Sequence, residues 1–304
     1  MPTTLIDPTE FGITLSQGER INLGLGPGER PLKGLGAGYV PATYVFEHDR
    51  ETFEIDGIEI EMVVAPGESP DTMYLWLADQ KVLISGDNYY KSFPNLYPIR
   101  GAPYRELATW VESLDQLLEF PVEYLLPGHT RPLIGADHIQ EVVTNYREAV
   151  NYVLTNTLRG MNRGLTPDEL VLEVQLPPHL ADKPYLQEFY GTVEWSVRSI
   201  FTGYLGWFDG NPTNLFKLSP RDEAERVAKL AGGTEALFTQ LQAAVADEDY
   251  QWALQLADHL MALDFQDDAV RQLRIEAMTA LADEQINATA RNYYLSVAQE
   301  LRAL

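Results

Sequence analysis

The chain has 304 residues, 45% of them hydrophobic and 11% aromatic, which excludes a disordered polypeptide and allows two ordinary domains with a large core. Its 45 acidic against 22 basic side chains give a formal charge of −23, which opposes nucleic acid and an anionic membrane face and requires any anionic substrate to meet a positive local site. Cysteine is absent, so disulfides and thiolate ligation are excluded and a bound ion would be held by His and carboxylates.

Residues 1 to about 38 are rich in Gly and Pro (Gly24, Gly26, Pro27, Gly28, Pro31, Gly34, Gly36, Gly38) and read as irregular loop. The start Met1-Pro2-Thr3-Thr4 has no signal-peptide character, and no run approaches the roughly 18 apolar residues of a membrane helix, so membrane insertion is not expected and the compartment stays open. From Tyr39 to Ser85 the pattern is strand-like. Thr52–Ile55 and Ile58–Ala65 flank the hairpin dipeptide Asp56-Gly57, and Met73–Leu77 and Lys81–Ser85 flank a polar turn.

Pro103 opens a segment with Leu107, Trp110, Val111, Leu114, Leu117 and Leu118 at helical spacing, and a strand at Val122–Leu126 leads into Pro127-Gly128-His129. Strands, a helix and a further strand indicate a layered α/β domain. After Gly135 the pattern is helical. Ile139, Val142, Val143, Tyr146, Val150, Val153 and Leu154 mark a long helix ending near Gly160 or Gly164. Thr166-Pro167-Asp168-Glu169 is a capping box, and Ser219-Pro220-Arg221-Asp222 starts another helix. From Glu235 onward the spacing predicts about three helices, with turns near Asp247–Asp249, Asp264–Asp268 and Asp283–Glu284. Tyr250–Asp283 has the length of one tetratricopeptide-like hairpin, but one hairpin is too little for a repeat array and an ordinary helical bundle is the expectation. The aromatic run Tyr190–Phe208 suits either a subunit interface or a core.

Three candidate metal ligands each follow an apolar strand: Glu68 in Ala65-Pro66-Gly67-Glu68, Asp87 in Ser85-Gly86-Asp87-Asn88, and His129. Each alone reads as a surface loop residue. Their recurrence at the same end of successive strands points to one sheet rim carrying a metal site, with ligand types that zinc, manganese or iron accept without sulfur. No stretch of the His-x-His-x-Asp-His type exists. Of the five histidines (His48, His129, His138, His179, His259), none lies in a cluster.

The order strand, Pro-Gly-Glu loop, hairpin, Gly-Asp-Asn, helix, strand, Gly-His resembles the second half of the metallo-β-lactamase fold. Gly86-Asp87-Asn88, Phe93-Pro94-Asn95-Leu96-Tyr97, Ile99-Arg100-Gly101, His129-Thr130-Arg131-Pro132, Gly203–Gly210 and Asn287–Tyr294 narrow the likeness to the alkyl sulfatases, from about residue 35 to the C-terminus. The resemblance implies a partial αββα sandwich over residues 1–160, followed by an all-α dimerisation domain over 161–304. It implies two Zn2+ ions, with Glu68 on one, His129 on the other and Asp87 bridging, and a metal-bound water attacking an alkyl sulfate ester gripped by Asn95 and Arg100. A homodimer is the implied partner state, with no nucleic acid. The absent histidine motif departs from the family pattern and implies a shortened chain or one piece of a split enzyme. The competing expectations are a non-catalytic scaffold that dimerises beyond about residue 165, and a hydrolase of another ester.

Overall fold

The computed structural model describes residues 8–12, 14–16, 18–20, 41–99, 101–265 and 267–303; the described residues between 41 and 207 form one compact unit, and those up to 20 with those from 208 to 303 form another. Most of the Gly- and Pro-rich segment, and with it the expectation of irregular loop there, lies outside the described residues.

The first unit is built on a sheet ordered β1 (Arg50–Ile55), β2 (Ile58–Val64), β3 (Met73–Leu77), β4 (Val82–Gly86), β5 (Tyr124–Pro127), β6 (Leu133–Ile134). All neighbours are antiparallel except β4 and β5. Asp56 and Gly57 both take positive φ (52° and 77°), so the first hairpin turns as its sequence predicts. A parallel β4–β5 pair needs a crossover, and α1 (Leu107–Leu118) supplies it. This helix begins four residues after Pro103. Glu106 is its N-cap and accepts a hydrogen bond from Ala108 N at 3.4 Å, so the apolar periodicity sets its start and the proline does not. The expected strand at Val122–Leu126 is displaced to Tyr124–Pro127, and β6 is too short to leave a periodic signature.

Side chains alternate across the strands, so the register sorts them into two faces. Val63, Tyr74, Trp76, Leu83 and Leu125 are buried in one cluster with Leu107, Trp110 and Leu114 of α1 and Val142, Val143 and Tyr146 of α2 (Ala136–Asn162). The opposite face carries Met62, Val64, Met73, Leu75, Leu77, Val82, Ile84 and Leu126, matched across the ladders. Every one of these is apolar and only half-buried among the described residues.

The long helix α2 stops at Asn162, ahead of Gly164 in the left-handed region (φ 85°). The next helix, α3 (Pro167–Glu173), opens on the predicted capping box: Thr166 Oγ1 accepts from Glu169 N at 3.3 Å, and Thr166 N donates to Glu169 Oε2 at 2.9 Å. After the short α4 (Pro178–Ala181), α5 (Val193–Leu205) packs on α2 and α3, which groups these helices with the sheet. The aromatic run divides accordingly: Tyr190 and Phe201 are buried, whereas Tyr204 and Trp207 are exposed.

In the second unit α6 (Pro220–Ala231) starts on its predicted cap, with Ser219 Oγ accepting from Asp222 N at 3.1 Å. Beyond residue 233 there are four helices among the described residues, not about three: α7 (Thr234–Ala246), α8 (Tyr250–Ala262), α9 (Asp267–Glu284) and α10 (Ala288–Arg302). Each of the three acidic turns separates two of them, so the turns were legible and the helix count was one short. A 3-10 turn at Pro8–Phe11 packs on α10, where Asn292 Nδ2 donates to Glu10 O at 3.0 Å.

Candidate active site

The loop from β2 to β3 carries Glu68, and its shape is set by Asn88. The Asn88 amide donates to Ala65 O at 2.7 Å and to the buried Tyr74 hydroxyl at 3.1 Å, while its Oδ1 accepts from Glu68 N at 3.3 Å. The Asn88 carbonyl in turn accepts from Trp110 Nε1 at 3.1 Å. Only glycine fits beside this staple, since a β-carbon on Gly67 would stand 2.0 Å from Asn88 Oδ1.

Asp87 leaves β4 directly after Gly86 (φ 56°), where the register with β5 shifts, and His129 leaves β5 two residues after Pro127. The two meet, with His129 Nδ1 2.7 Å from Asp87 Oδ1. This contact, helped by the Asp87 and Glu68 charges, raises the His129 pKa against the opposing effect of burial. Glu68 is more deeply placed. Its Oε1 lies 3.1 Å from Arg105 Nη1, both side chains being nearly covered. Its Oε2 is buried with no hydrogen-bond partner among the described residues. Burial pushes the Glu68 carboxyl up and outweighs the pull of Arg105, and the Asp87 charge pushes the same way.

Glu68, Asp87 and His129 are thus electrostatic neighbours at one rim of the sheet, arranged as two ion pairs. Their chemistry suits a metal: two carboxylates, an imidazole and an orphaned buried carboxylate oxygen. Their number does not, because among the described residues no three His, Asp or Glu are grouped to hold one ion. Coordination of an ion here needs donors besides these three.

Asn95 is buried beside this rim. Its N–H donates to the Tyr90 hydroxyl at 2.7 Å, and its Oδ1 is buried and unpartnered among the described residues. Arg105 also donates to Asn95 O, so one guanidinium links the Glu68 loop to the Asn95 segment. Arg100 lies outside the described residues. Arg105 is the residue that sequence reasoning missed: nothing in Pro103-Tyr104-Arg105 distinguishes it from a surface charge, because its carboxylate partner is 37 positions away and is brought there by the fold. Of the other histidines in this unit, His179 pairs with Glu148 at 3.0 Å and His138 stands on α2, while His259 stands on α8 of the second unit.

Two cavities of the first unit share Tyr104 as a wall. One, of about 440 Å³, is lined by Pro66, Glu68, Tyr104, Arg105 and Thr109, and the other, of about 570 Å³ and mostly apolar, by Tyr97, Ile99, Tyr104, Trp195, Arg198 and Thr202. Tyr104 has little freedom, since its ring packs against Gly203, where a β-carbon would come within 2.5 Å.

Residues 9–129 match the family model of the metallo-beta-lactamase superfamily, and residues 166–303 that of alkyl sulfatase dimerisation. The chain is 38% identical over 295 residues to a linear primary-alkylsulfatase of a Pseudomonas species, covering 96% of the chain and 55% of that protein. It is 32% identical to an (R)-specific secondary-alkylsulfatase of Pseudomonas sp., covering 96% and 45%. A solved double mutant of the sec-alkyl sulfatase PisA1 superposes with a TM-score of 0.89 at 31% identity, covering 98% of this chain and 48% of that one. The chain therefore spans about half the length of the curated relatives it matches.

Proposed function

Because the chain belongs to the alkyl sulfatase family of the metallo-β-lactamase superfamily, with a partial metallo-β-lactamase fold followed by a helical dimerisation domain, we propose that it serves the hydrolysis of alkyl sulfate esters to alcohol and sulfate. The observation that carries this reading is the convergence of Glu68, Asp87, His129, Asn95 and Arg105 at one sheet rim, beside an apolar cavity. The superfamily implies a metal, and zinc is the ion proposed, with Glu68, Asp87 and His129 among its donors. Bound there, it would supply a water acidic enough to give hydroxide near neutral pH.

The other work falls to side chains of this chain. Asn95 and Arg100 bind the sulfate group, and Arg105, already in the rim, adds a fork of N–H donors suited to oxyanion oxygens in a molecule otherwise strongly acidic. Sulfate oxygens only accept, so Asn95 would serve them through its side-chain amide N–H groups and not through the buried Oδ1. The apolar cavity along Tyr97, Ile99 and Trp195 takes the alkyl chain. A homodimer through residues 161–304 is proposed on the family match to 166–303.

Sulfate release from decyl sulfate, measured with zinc supplied, tests the reading. Asn95→Ala and Arg105→Ala are each expected to lower turnover roughly a hundredfold to a thousandfold, the effect of losing one oxyanion donor. Unchanged turnover in both variants would remove the sulfate grip. Because coordination needs donors besides Glu68, Asp87 and His129, the deciding assay joins the zinc-supplied chain to a segment that carries the further histidine donors, and no sulfate release from that assembly would overturn the assignment of activity.

A further inference from the structure

Between α5 and α6 the helical unit carries a surface loop whose polar groups are spent on holding it rigid. Asp209 Oδ1 accepts from Asn211 N at 3.0 Å and its Oδ2 accepts from the Asn214 amide. Asn211 Oδ1 accepts from Thr213 N at 3.1 Å, and Leu215 N closes a 3-10 turn on Pro212 O at 3.2 Å. What this pinned loop presents is apolar: Phe216 is 94% exposed, Leu215 45% and Leu218 49%. A phenyl ring given fully to water on a preorganised scaffold loses little conformational freedom on being covered, which is the condition under which an aromatic anchor contributes most to association.

We infer that Leu215, Phe216 and Leu218 form the anchor of a two-fold contact with a second copy of this chain. Two observations choose that occupant. The loop lies within residues 166–303, the segment matching the alkyl sulfatase dimerisation model. In addition, Asn211–Leu218 contains no acidic residue and one Lys217, in a molecule of formal charge −23. Two such chains repel over most of their surface, and this stretch lets them meet without opposing carboxylates. A two-fold contact is self-complementary, so Phe216 of each copy packs on the same patch of the other.

The inference rests on the homodimer reading above and names its surface. The test is sedimentation equilibrium of the full chain and of Phe216→Glu, with Leu230→Glu as control, because Leu230 is 88% exposed on α6 outside the loop. Phe216→Glu is expected to weaken the dimer by roughly thirtyfold or more, with Leu230→Glu unchanged. Since the native chain has no cysteine, Phe216→Cys also gives a unique nitroxide position, expected to be mobile when the chain is dilute and immobilised in the dimer. A dimer that survives Phe216→Glu, or a label that stays mobile in it, overturns this surface and leaves the homodimer standing. A native chain that is monomeric at every concentration overturns both. Thermal unfolding of the variant, expected to match that of the native chain because Phe216 has almost no buried surface to lose, separates loss of association from loss of fold.

Discussion

At the scale of single residues the Asp87–His129 pair makes a measurable claim. The imidazole pKa is raised chiefly by its 2.7 Å contact with Asp87 Oδ1. A raised folded-state value means that the pair's contribution to stability is complete below the unfolded imidazole pKa and is lost as pH rises through the higher folded value. In protein freed of metal by chelation, Asp87→Asn is expected to bring the His129 ring titration down, followed by the NMR shifts of its ring protons. A titration unmoved by that substitution would show that the two side chains do not interact in solution. Glu68, Asp87 and His129 were legible in the sequence because each follows a strand, and strand ends on one sheet rim are neighbours by construction. Arg105 was not legible, since its role is set by a carboxylate that only the tertiary fold supplies.

Among the elements, those with chemical punctuation were readable. The capping box at Thr166 and Glu169 and the Ser219 cap are local hydrogen-bond patterns that need no tertiary partner. Thr166→Ala is expected to cost about 1 kcal/mol of unfolding free energy, measured by urea denaturation, because it leaves the Glu169 N–H without its side-chain acceptor. The Glu169 carboxyl is held low first by the Thr166 N–H, which the variant keeps, and second by the Thr166 hydroxyl, which it loses. Elements without such punctuation were misplaced. The segment that Pro103 opens becomes helical only at Leu107, four residues on, and β6, paired only through Tyr124–Ile134 and Leu125–Leu133, has too few residues to show alternation.

For the molecule as a whole, the sheet face formed by Met62, Val64, Met73, Leu75, Leu77, Val82, Ile84 and Leu126 matters most. Strands apolar on both faces belong to sheets covered on both sides, and here α1 and α2 cover one. The chain on its own is therefore expected to bind a polarity-sensitive dye such as anilinonaphthalene sulfonate while retaining a cooperative thermal transition. Leu75→Lys, placed mid-face, should lower that fluorescence severalfold. Strong dye binding without a cooperative transition would instead indicate a loosely packed state.

The Asn88 staple has a consequence for anyone who wishes to retune this protein. One amide both closes the core around Tyr74 and aims the Glu68 loop, so selectivity and melting temperature share a single adjustable part. Variation at position 88 will register first as loss of yield, whatever it does to chemistry. Freedom to explore lies instead at the exposed Ser69, Pro70 and Asp71: Ser69 Oγ donates to Asp71 Oδ1 at 2.7 Å and meets Thr72 Oγ1 at 3.0 Å, so substitutions there rework the loop's own bonds and remove none of those that Asn88 makes.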